Sequence, residues 1–402
     1  MNEVTLVATN RRVDHRNIQF FCCYDQGQHL IYLKANDLTH PSLVGQIHVA
    51  KLQNHVRNVG CFLVMESGEK LFLPEKEREK AICVKRTSPN KTFCQGDLFL
   101  LQIKKDALKT KDAVATAVLE ITDDALCLGY PGKGISISRK ATAEQKEGLL
   151  SALSGEAMAR DHHILIRTEG AKKDAAEVRS HLLTLGQILD QIRKKAEVAA
   201  HPVCLYEGKS RALAFLDAFH LKEKGLTVKK ILTDDEKLHQ QLMESDCRSV
   251  LSEVYRDETF SLGDLYRLQT SLKELTGKTV WMKNGGNLVI EPTEALTVID
   301  VNSARASSKK DLFAVNMEAA KAAMEQLRLR NISGIVLVDF INLKNKKEEQ
   351  AVLELLRREA KEDTVKVNIL GYTATGLVEI TREKIHPSLN QVLTGKIYCG
   401  NI

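Results

Sequence analysis

The sequence predicts an α/β protein of several subdomains, and three observations lead to this fold class. The chain has 402 residues, which is more than one ordinary core accommodates. Residues 205–272 and 273–395 alternate strand-like apolar runs with amphipathic helical patterns, as layered α/β domains do. Residues 41–118 hold five short strand-like runs separated by turn residues, a pattern typical of a small barrel.

The composition is that of a soluble globular protein, with 43% hydrophobic and 27% charged residues. No stretch reaches the ~20 apolar residues that a membrane span needs, and MNEVTLVATNRR lacks the apolar part of a secretory signal. Nine cysteines without a C-x-x-C motif indicate reduced thiols and not a disulfide framework. We therefore expect a cytoplasmic protein without a membrane span.

Positive charge is concentrated in the predicted barrel. Residues 41–111 hold thirteen Lys/Arg and seven Asp/Glu (13 − 7 = +6), which equals the net charge of the whole chain. This local excess favours a polyanionic partner, with a solvated charged face as the alternative. Barrels of the OB type often bind nucleic acid, and Phe62 and Phe72 are candidates for base stacking unless they belong to the core.

Two predicted strands of the last region end on aspartates. ALTVID ends at Asp300 and GIVLVD at Asp339, and the carboxyl ends of neighbouring strands in an open α/β sheet converge. Adjacent carboxylates repel each other unless a hard cation such as Mg²⁺ binds between them. Asn302 follows Asp300 by two residues, so both side chains face the same way in an extended segment. The alternative is that both aspartates only cap turns or helices.

Three long motifs surround these aspartates: GGNLVIEPTEALTVIDVNSARA (Gly285–Ala306), LRLRNISGIVLVDFI (Leu327–Ile341) and GLVEITR (Gly376–Arg382). Together with the shorter GQIHV, LFLP, GISISRK and ILIRTEG, they resemble the ribonuclease E/G family. The resemblance implies a magnesium-dependent endoribonuclease that hydrolyses single-stranded RNA to 5′-phosphate and 3′-hydroxyl ends. Its role would be in RNA decay or ribosomal-RNA processing.

The resemblance also assigns roles to residues. Asp300 and Asp339 match the family's magnesium-binding aspartates, with Mn²⁺ as an alternative ion, and Asn302 matches the asparagine at the scissile phosphate. Arg167 and Thr168, with backbone from Leu128, fall where the family senses a 5′-monophosphate, a role that suits a guanidinium and a hydroxyl. The positions that align with or suit RNA contacts are Phe62, Phe72, Lys111 and Arg305.

The implied architecture is a ribonuclease-H-like subdomain split by an inserted OB-fold RNA-binding barrel and a 5′-sensor region, followed by a deoxyribonuclease-I-like α/β catalytic subdomain. The expected bounds are 1–40 and 205–272 for the split subdomain, 41–118 for the barrel, 119–204 for the sensor region and 273–395 for the catalytic subdomain. Within the sensor region, apolar residues recur at spacings of four and three after Asp174, which predicts one long helix with a single buried stripe.

Three features depart from the family pattern. The chain ends in TGKIYCGNI with Cys399 alone, so we expect no zinc link and no zinc-linked tetramer, while a homodimer stays open. Asp123 or Asp124 replaces the glycine of the sensor, and an added carboxylate repels a phosphate. Ala374 or Thr375 replaces an arginine that precedes GLVEITR in the family. Two alternative functions fit the same residues, an RNA-holding protein without activity and a phosphodiesterase that acts on DNA.

Overall fold

The computed structural model describes residues 2–39, 41–89, 93–107, 111–208, 215–216, 225–244, 251–257, 259–303, 309–343 and 345–395. Backbone contacts divide the chain into two compact units, one of Met1–Ser42 with Arg211–Ile397 and the other of Leu43–Ser210. The fold is mixed α/β with several sheets, as the sequence predicts. No helix among the described residues is long and apolar enough to cross a membrane.

The chain begins with three antiparallel strands, β1 (Asn2–Val13), β2 (Arg16–Tyr24) and β3 (Leu30–Asp37). Asp14 sits in the β1–β2 turn with φ at 54°, a conformation that Asp tolerates better than most residues. Seven consecutive residues of β2, from Ile18 to Tyr24, are buried, so this strand is covered on both faces.

The second unit starts with a closed five-stranded barrel. Its elements in chain order are β4 (Ile47–Val56), β5 (Gly60–Val64), β6 (Lys70–Pro74), a 3₁₀ helix (Glu75–Lys80), β7 (Ile82–Lys85), β8 (Leu98–Lys105) and β9 (Ala113–Thr116). The ring runs β4–β5–β6–β9–β8 and closes because β8 also pairs with β4, which leaves β7 outside. The β6–β9 contact is parallel and the others are antiparallel. The sequence prediction of an OB-like barrel is therefore supported by this topology.

The remainder of the second unit has a four-stranded sheet and a long helix. Its elements are β10 (Leu119–Thr122), β11 (Leu126–Tyr130), β12 (Ile135–Ile137), α1 (Ala143–Ala152), β13 (His163–Ile166), α2 (Ala175–Glu197) and β14 (Val203–Tyr206), with 3₁₀ turns at Ala157–Arg160 and Gly170–Lys172. Asp174 caps α2 through a reciprocal pair of hydrogen bonds with Glu177. The predicted stripe of α2 is buried as expected: Val178, Leu182, Leu185, Leu189, Ile192 and Ala196. Strand β14 joins the barrel by pairing with β4.

The sheet that contains β1, β2 and β3 gains two further strands from a later part of the chain. Its later elements are β15 (Leu226–Thr233), α3 (Glu236–Glu244), β16 (Leu251–Val254), α4 (Leu262–Leu265) and α5 (Leu268–Thr276). The order is β16–β15–β1–β2–β3, with β15 parallel to β1 and β16 parallel to β15.

The last part of the chain forms a six-stranded sheet, in the order β17–β18–β19–β20–β22–β21. Its elements are β17 (Thr279–Trp281), β18 (Asn287–Pro292), β19 (Leu296–Asn302), α6 (Lys309–Leu329), β20 (Gly334–Asp339), α7 (Lys346–Ala360), β21 (Val367–Tyr372), β22 (Val378–Arg382) and α8 (Leu389–Thr394). Strands β19 and β20 are parallel neighbours, because α6 returns the chain to the starting edge between them. Helices α6 and α7 share one hydrophobic core with the sheet.

Candidate active site

The two faces of the six-stranded sheet differ in burial. In β19, Thr297, Ile299 and Val301 are buried, whereas Asp300 and Asn302 between and beyond them are exposed. Because successive side chains of a strand point to opposite faces, one face packs against the helices and the other is open. We call this second surface the open face. The polar residues predicted for catalysis lie on it.

Asp300 and Asp339 stand directly beside each other on the open face. The parallel register pairs them residue for residue across β19 and β20, and neighbouring strands lie about 4.8 Å apart. Both residues are exposed. Among the described residues, the hydrogen bond that either carboxylate accepts comes from the side chain of Asn302 and not from a backbone N–H.

Asn302 is held against this pair. Its Nδ2 donates to Asp300 Oδ2 at 2.9 Å and lies 3.5 Å from Asn287 Oδ1 on β18. The β17–β18 hairpin approaches closely at this point, since a Cβ built on Gly286 would lie 2.7 Å from the Asn302 carbonyl oxygen. Only glycine permits that approach without a shift of backbone. The hairpin therefore fixes the strand segment that carries the amide.

This donor set suits a hard divalent cation. Two carboxylates on adjacent strands create a concentrated negative charge that is open to solvent, and the amide beside them is neutral. Magnesium uses few carboxylates and retains waters, so two aspartates are sufficient. All the oxygen donors are hard ligands, whereas zinc prefers thiolate and imidazole. Arg305, predicted to add positive charge here, lies outside the described residues.

The predicted 5′-sensor residues lie together in the second unit. Arg167 follows β13, and its Nη1 donates to the carbonyl oxygen of Asp123 at 2.8 Å. Thr168 Oγ1 is 2.9 Å from Ser138 Oγ, and both Arg167 and Thr168 are half-buried. The Leu128 side chain is fully buried in β11, so this residue can offer only its backbone to a ligand.

A group of possible metal ligands, not predicted as such from the sequence, lies beside Arg167. One ligand atom each from Asp123, Asp124 and His181 falls within 4.8 Å of the others. Hydrogen bonds account for much of this geometry, since Asp123 accepts from the N–H groups of Ala125 and Leu126 and lies 2.8 Å from His181 Nδ1. No spacing pattern in the sequence marks His181 as a ligand; it lies on α2 three residues after the buried Val178.

The predicted RNA contacts of the barrel lie on its outer side. Phe62 and Phe72 face each other across β5 and β6, with ring centroids 5.3 Å apart. Both are half-buried, while their sequence neighbours Leu63 and Leu71 are fully buried in the barrel core. The two phenylalanines are not among the residues that form or pack against the barrel core. Lys111 is exposed, just before β9, the strand that pairs with β6.

Comparison with known proteins identifies the family. Residues 125–385 match the ribonuclease E/G family, and the chain belongs to it, which confirms the resemblance. Ribonuclease G of Escherichia coli is 27% identical over 307 residues, which is 74% of this chain and 62% of the relative. Ribonuclease E of a Nostoc species is 29% identical over 297 residues, covering 71% and 42% of the two chains. The ribonuclease E/G-like chloroplastic protein of Arabidopsis thaliana is 28% identical over 324 residues, covering 76% and 32%.

The chain spans less than two thirds of the length of each of these relatives. The family match begins at residue 125, after the five-stranded barrel. The OB-like character of the barrel therefore rests on its strand order and not on the family match.

Proposed function

We propose that this protein is a magnesium-dependent endoribonuclease that hydrolyses single-stranded RNA in RNA decay or ribosomal-RNA processing. The observation that carries the proposal is the direct pairing of Asp300 with Asp339 on an open sheet face, with Asn302 bonded beside them. Membership of the ribonuclease E/G family and relatives named ribonuclease G and ribonuclease E support the choice of RNA.

In this proposal each side chain has a defined task. Asp300 and Asp339 hold Mg²⁺, or Mn²⁺ in its place, and Asn302 donates its amide N–H to a non-bridging oxygen of the scissile phosphate. When bound, the cation supplies positive charge against the phosphate and makes water more acidic. Water adds to phosphorus while the bond to the 3′ oxygen breaks, which leaves a 5′-phosphate and a 3′-hydroxyl. Arg305 contributes a further phosphate contact.

We propose the same subdomain order that the family implies. The mixed sheet of β1, β2, β3, β15 and β16 supports a ribonuclease-H-like subdomain from residues 1–40 and 205–272. The five-stranded ring supports an OB-fold within 41–118, followed by the 5′-sensor region at 119–204. The sheet with its two covering helices supports a deoxyribonuclease-I-like catalytic subdomain at 273–395.

RNA recognition is assigned to two surfaces of the second unit. Phe62 and Phe72 stack on bases and Lys111 contacts the backbone, which fits their position on the outer side of the barrel. Arg167 and Thr168, with the Leu128 backbone, bind a 5′-monophosphate. The carboxylates of Asp123 and Asp124 oppose that anion, so the preference for 5′-phosphorylated RNA is expected to be small. A cytoplasmic location completes the proposal.

The test is a cleavage assay on an unstructured A/U-rich RNA carrying a 5′-monophosphate or a 5′-hydroxyl. We expect Mg²⁺-dependent cuts whose downstream products carry 5′-phosphates, and loss of cutting with retained RNA binding in Asp300→Asn. Glu291→Gln is the matched control, because Glu291 is an exposed acid of the adjacent strand β18 that pairs with Lys278. Cutting that persists in EDTA would contradict the proposed chemistry.

The RNA-holding alternative is favoured by one observation, the exposed or half-exposed Phe62, Phe72 and Lys111 on a barrel with excess positive charge. It predicts salt-dependent binding of an RNA that stays intact with Mg²⁺. A matched DNA strand in the same assay separates the DNA-cutting alternative, which predicts cleavage of both strands.

A further inference from the structure

Trp281 is an exposed aromatic residue on the sheet that carries the candidate active site. It is the only tryptophan in the sequence, and 72% of it is exposed. It ends β17, the strand at one edge of the sheet. The residue before it, Val280, packs against the core shared with helices α6 and α7. Because side chains alternate along a strand, Trp281 lies on the open face.

The register places Trp281 in line with Asn302. Trp281 pairs with Asn287 across β17 and β18, and Asn287 pairs with Asn302 across β18 and β19. Directly paired residues of antiparallel strands share a face, and two strand spacings amount to about 10 Å. The β18–β19 ladder holds this separation, and the close approach of Gly286 to Asn302 shows that the hairpin that carries Trp281 packs tightly against β19.

The surroundings of Trp281 suit a nucleic-acid base better than a protein surface. Its register partner Asn287 is polar, and Thr279, on the same face of β17, is polar and exposed. A protein interface needs a contiguous apolar patch, which these residues do not form. A single exposed indole beside polar groups and a phosphate-binding amide matches the base-stacking platforms of single-strand binders.

We propose that Trp281 stacks on a base of the RNA strand, next to the phosphate that Asp300, Asp339 and Asn302 engage. This inference rests on the proposed function for the position of that phosphate. Trp281 acts here as a substrate-positioning contact that binds RNA equally in the ground state and the transition state. Its loss therefore raises KM and leaves kcat unchanged.

The binding test uses the intrinsic fluorescence of the lone tryptophan. Wild-type protein is titrated in EDTA with a fluorescently labelled A/U-rich RNA, and the anisotropy of the label reports binding independently. We expect the Trp281 emission to change in parallel with the anisotropy. This arm requires no cleavage, so it decides the stacking proposal even if the protein proves inactive and the proposed function fails.

The kinetic test compares variants in the presence of Mg²⁺. Trp281→Ala is expected to raise KM by about 5- to 150-fold, the factor that base–aromatic stacking gives, and Trp281→Tyr to restore most of it. Phe260→Ala is the matched control, since Phe260 is 50% exposed but lies outside the six-stranded sheet. In a series of RNAs that each carry one abasic site near the cut, one position of the abasic site should weaken binding to the wild type. The same RNA should bind Trp281→Ala as well as the intact RNA does.

Three results would overturn the proposal. One is an unchanged KM in Trp281→Ala, and another is constant Trp281 emission while the anisotropy shows bound RNA. The third combines two observations: the Trp281 emission changes with protein concentration in the absence of RNA, and sedimentation shows a wild-type dimer that is lost in Trp281→Ala. A second copy of the chain would then cover the indole.

Discussion

Breaking the buried ion pair between Asp363 and Arg382 should destabilise the sheet that carries the candidate active site. The side chains are 1% and 3% exposed, and two hydrogen bonds of 2.9 and 3.1 Å join the guanidinium to the carboxylate. Arg382 ends β22 and pairs with Gly334, the first residue of β20. Its Nη1 donates to Asn331 Oδ1, Ile332 O and Ser333 Oγ, so the guanidinium also fixes the loop that leads into β20.

Asp363→Asn keeps the shape of the side chain but leaves a buried guanidinium without its counter-charge. Loss of one partner of such a pair costs about 3–5 kcal/mol of unfolding free energy. A double-mutant cycle with Arg382→Met should give a coupling energy of about 1–3 kcal/mol. Arg382→Met removes the donor to the other acceptors in the wild-type and the Asp363→Asn background alike, so that loss cancels and the coupling energy reports the pair itself.

The assay is urea unfolding followed by the fluorescence of Trp281, which lies in the same sheet and so reports on this unit. Lys278→Gln serves as the control, since its ion pair with Glu291 is exposed on both sides and should leave the midpoint unchanged. If Asp363→Asn lowers the free energy of unfolding by less than about 1 kcal/mol, the reasoning that this ion pair is buried away from water is refuted.

Three further predictions concern single positions. Gly286→Ala should lower kcat by about ten- to a hundredfold in the RNA cleavage assay, because its Cβ collides with the backbone of Asn302 and displaces the catalytic amide. Gly148→Ala, exposed in α1 with nothing near the new Cβ, should instead raise the unfolding free energy by about 0.5–1 kcal/mol and leave cleavage unchanged. Burial lowers the pKa of His48 below its usual 6.5, and its Nδ1 is buried with no partner among the described residues while Nε2 donates to Gln46. The folded protein therefore favours the neutral ring. The free energy of unfolding has its full value above the usual pKa and falls as the pH drops through the lowered pKa, by up to about 1.4 kcal/mol per pH unit. His48→Leu should remove that slope in urea titrations at several pH values.

The sequence predicted best those features that local periodicity determines. The buried stripe of α2 follows from its 3.6-residue repeat, and β19 and β20 were expected as neighbours because each ends an apolar run on an aspartate. The series of five short strand-like runs separated by turn residues also indicated a barrel. In these cases the information lies within one segment of chain, or in a long family motif.

Features that depend on distant pairing were not accessible in the same way. Periodicity specifies which face of a strand is buried but not which strand lies beside it. Closure of the barrel through β4 and β8, the parallel pairing of β1 with β15, and the attachment of β14 to β4 therefore emerged only from the structure.

The site shows the same division. Asp300, Asn302 and Asp339 were identified from their motif, whereas Trp281 and His181 were not, because a single aromatic or histidine carries no spacing signal. Gly286 belongs to the recognised motif, yet its tight contact with the Asn302 carbonyl is a matter of three-dimensional packing.

The position of the metal tests the central claim most directly. Crystals soaked in Mn²⁺ should show an anomalous peak between the side chains of Asp300 and Asp339, with oxygen distances of about 2.1 Å, and the peak should vanish in Asp300→Asn. An ion found only at Asp123 and His181, or the same peak in the variant, would contradict the assignment of these two aspartates as the shared ligands.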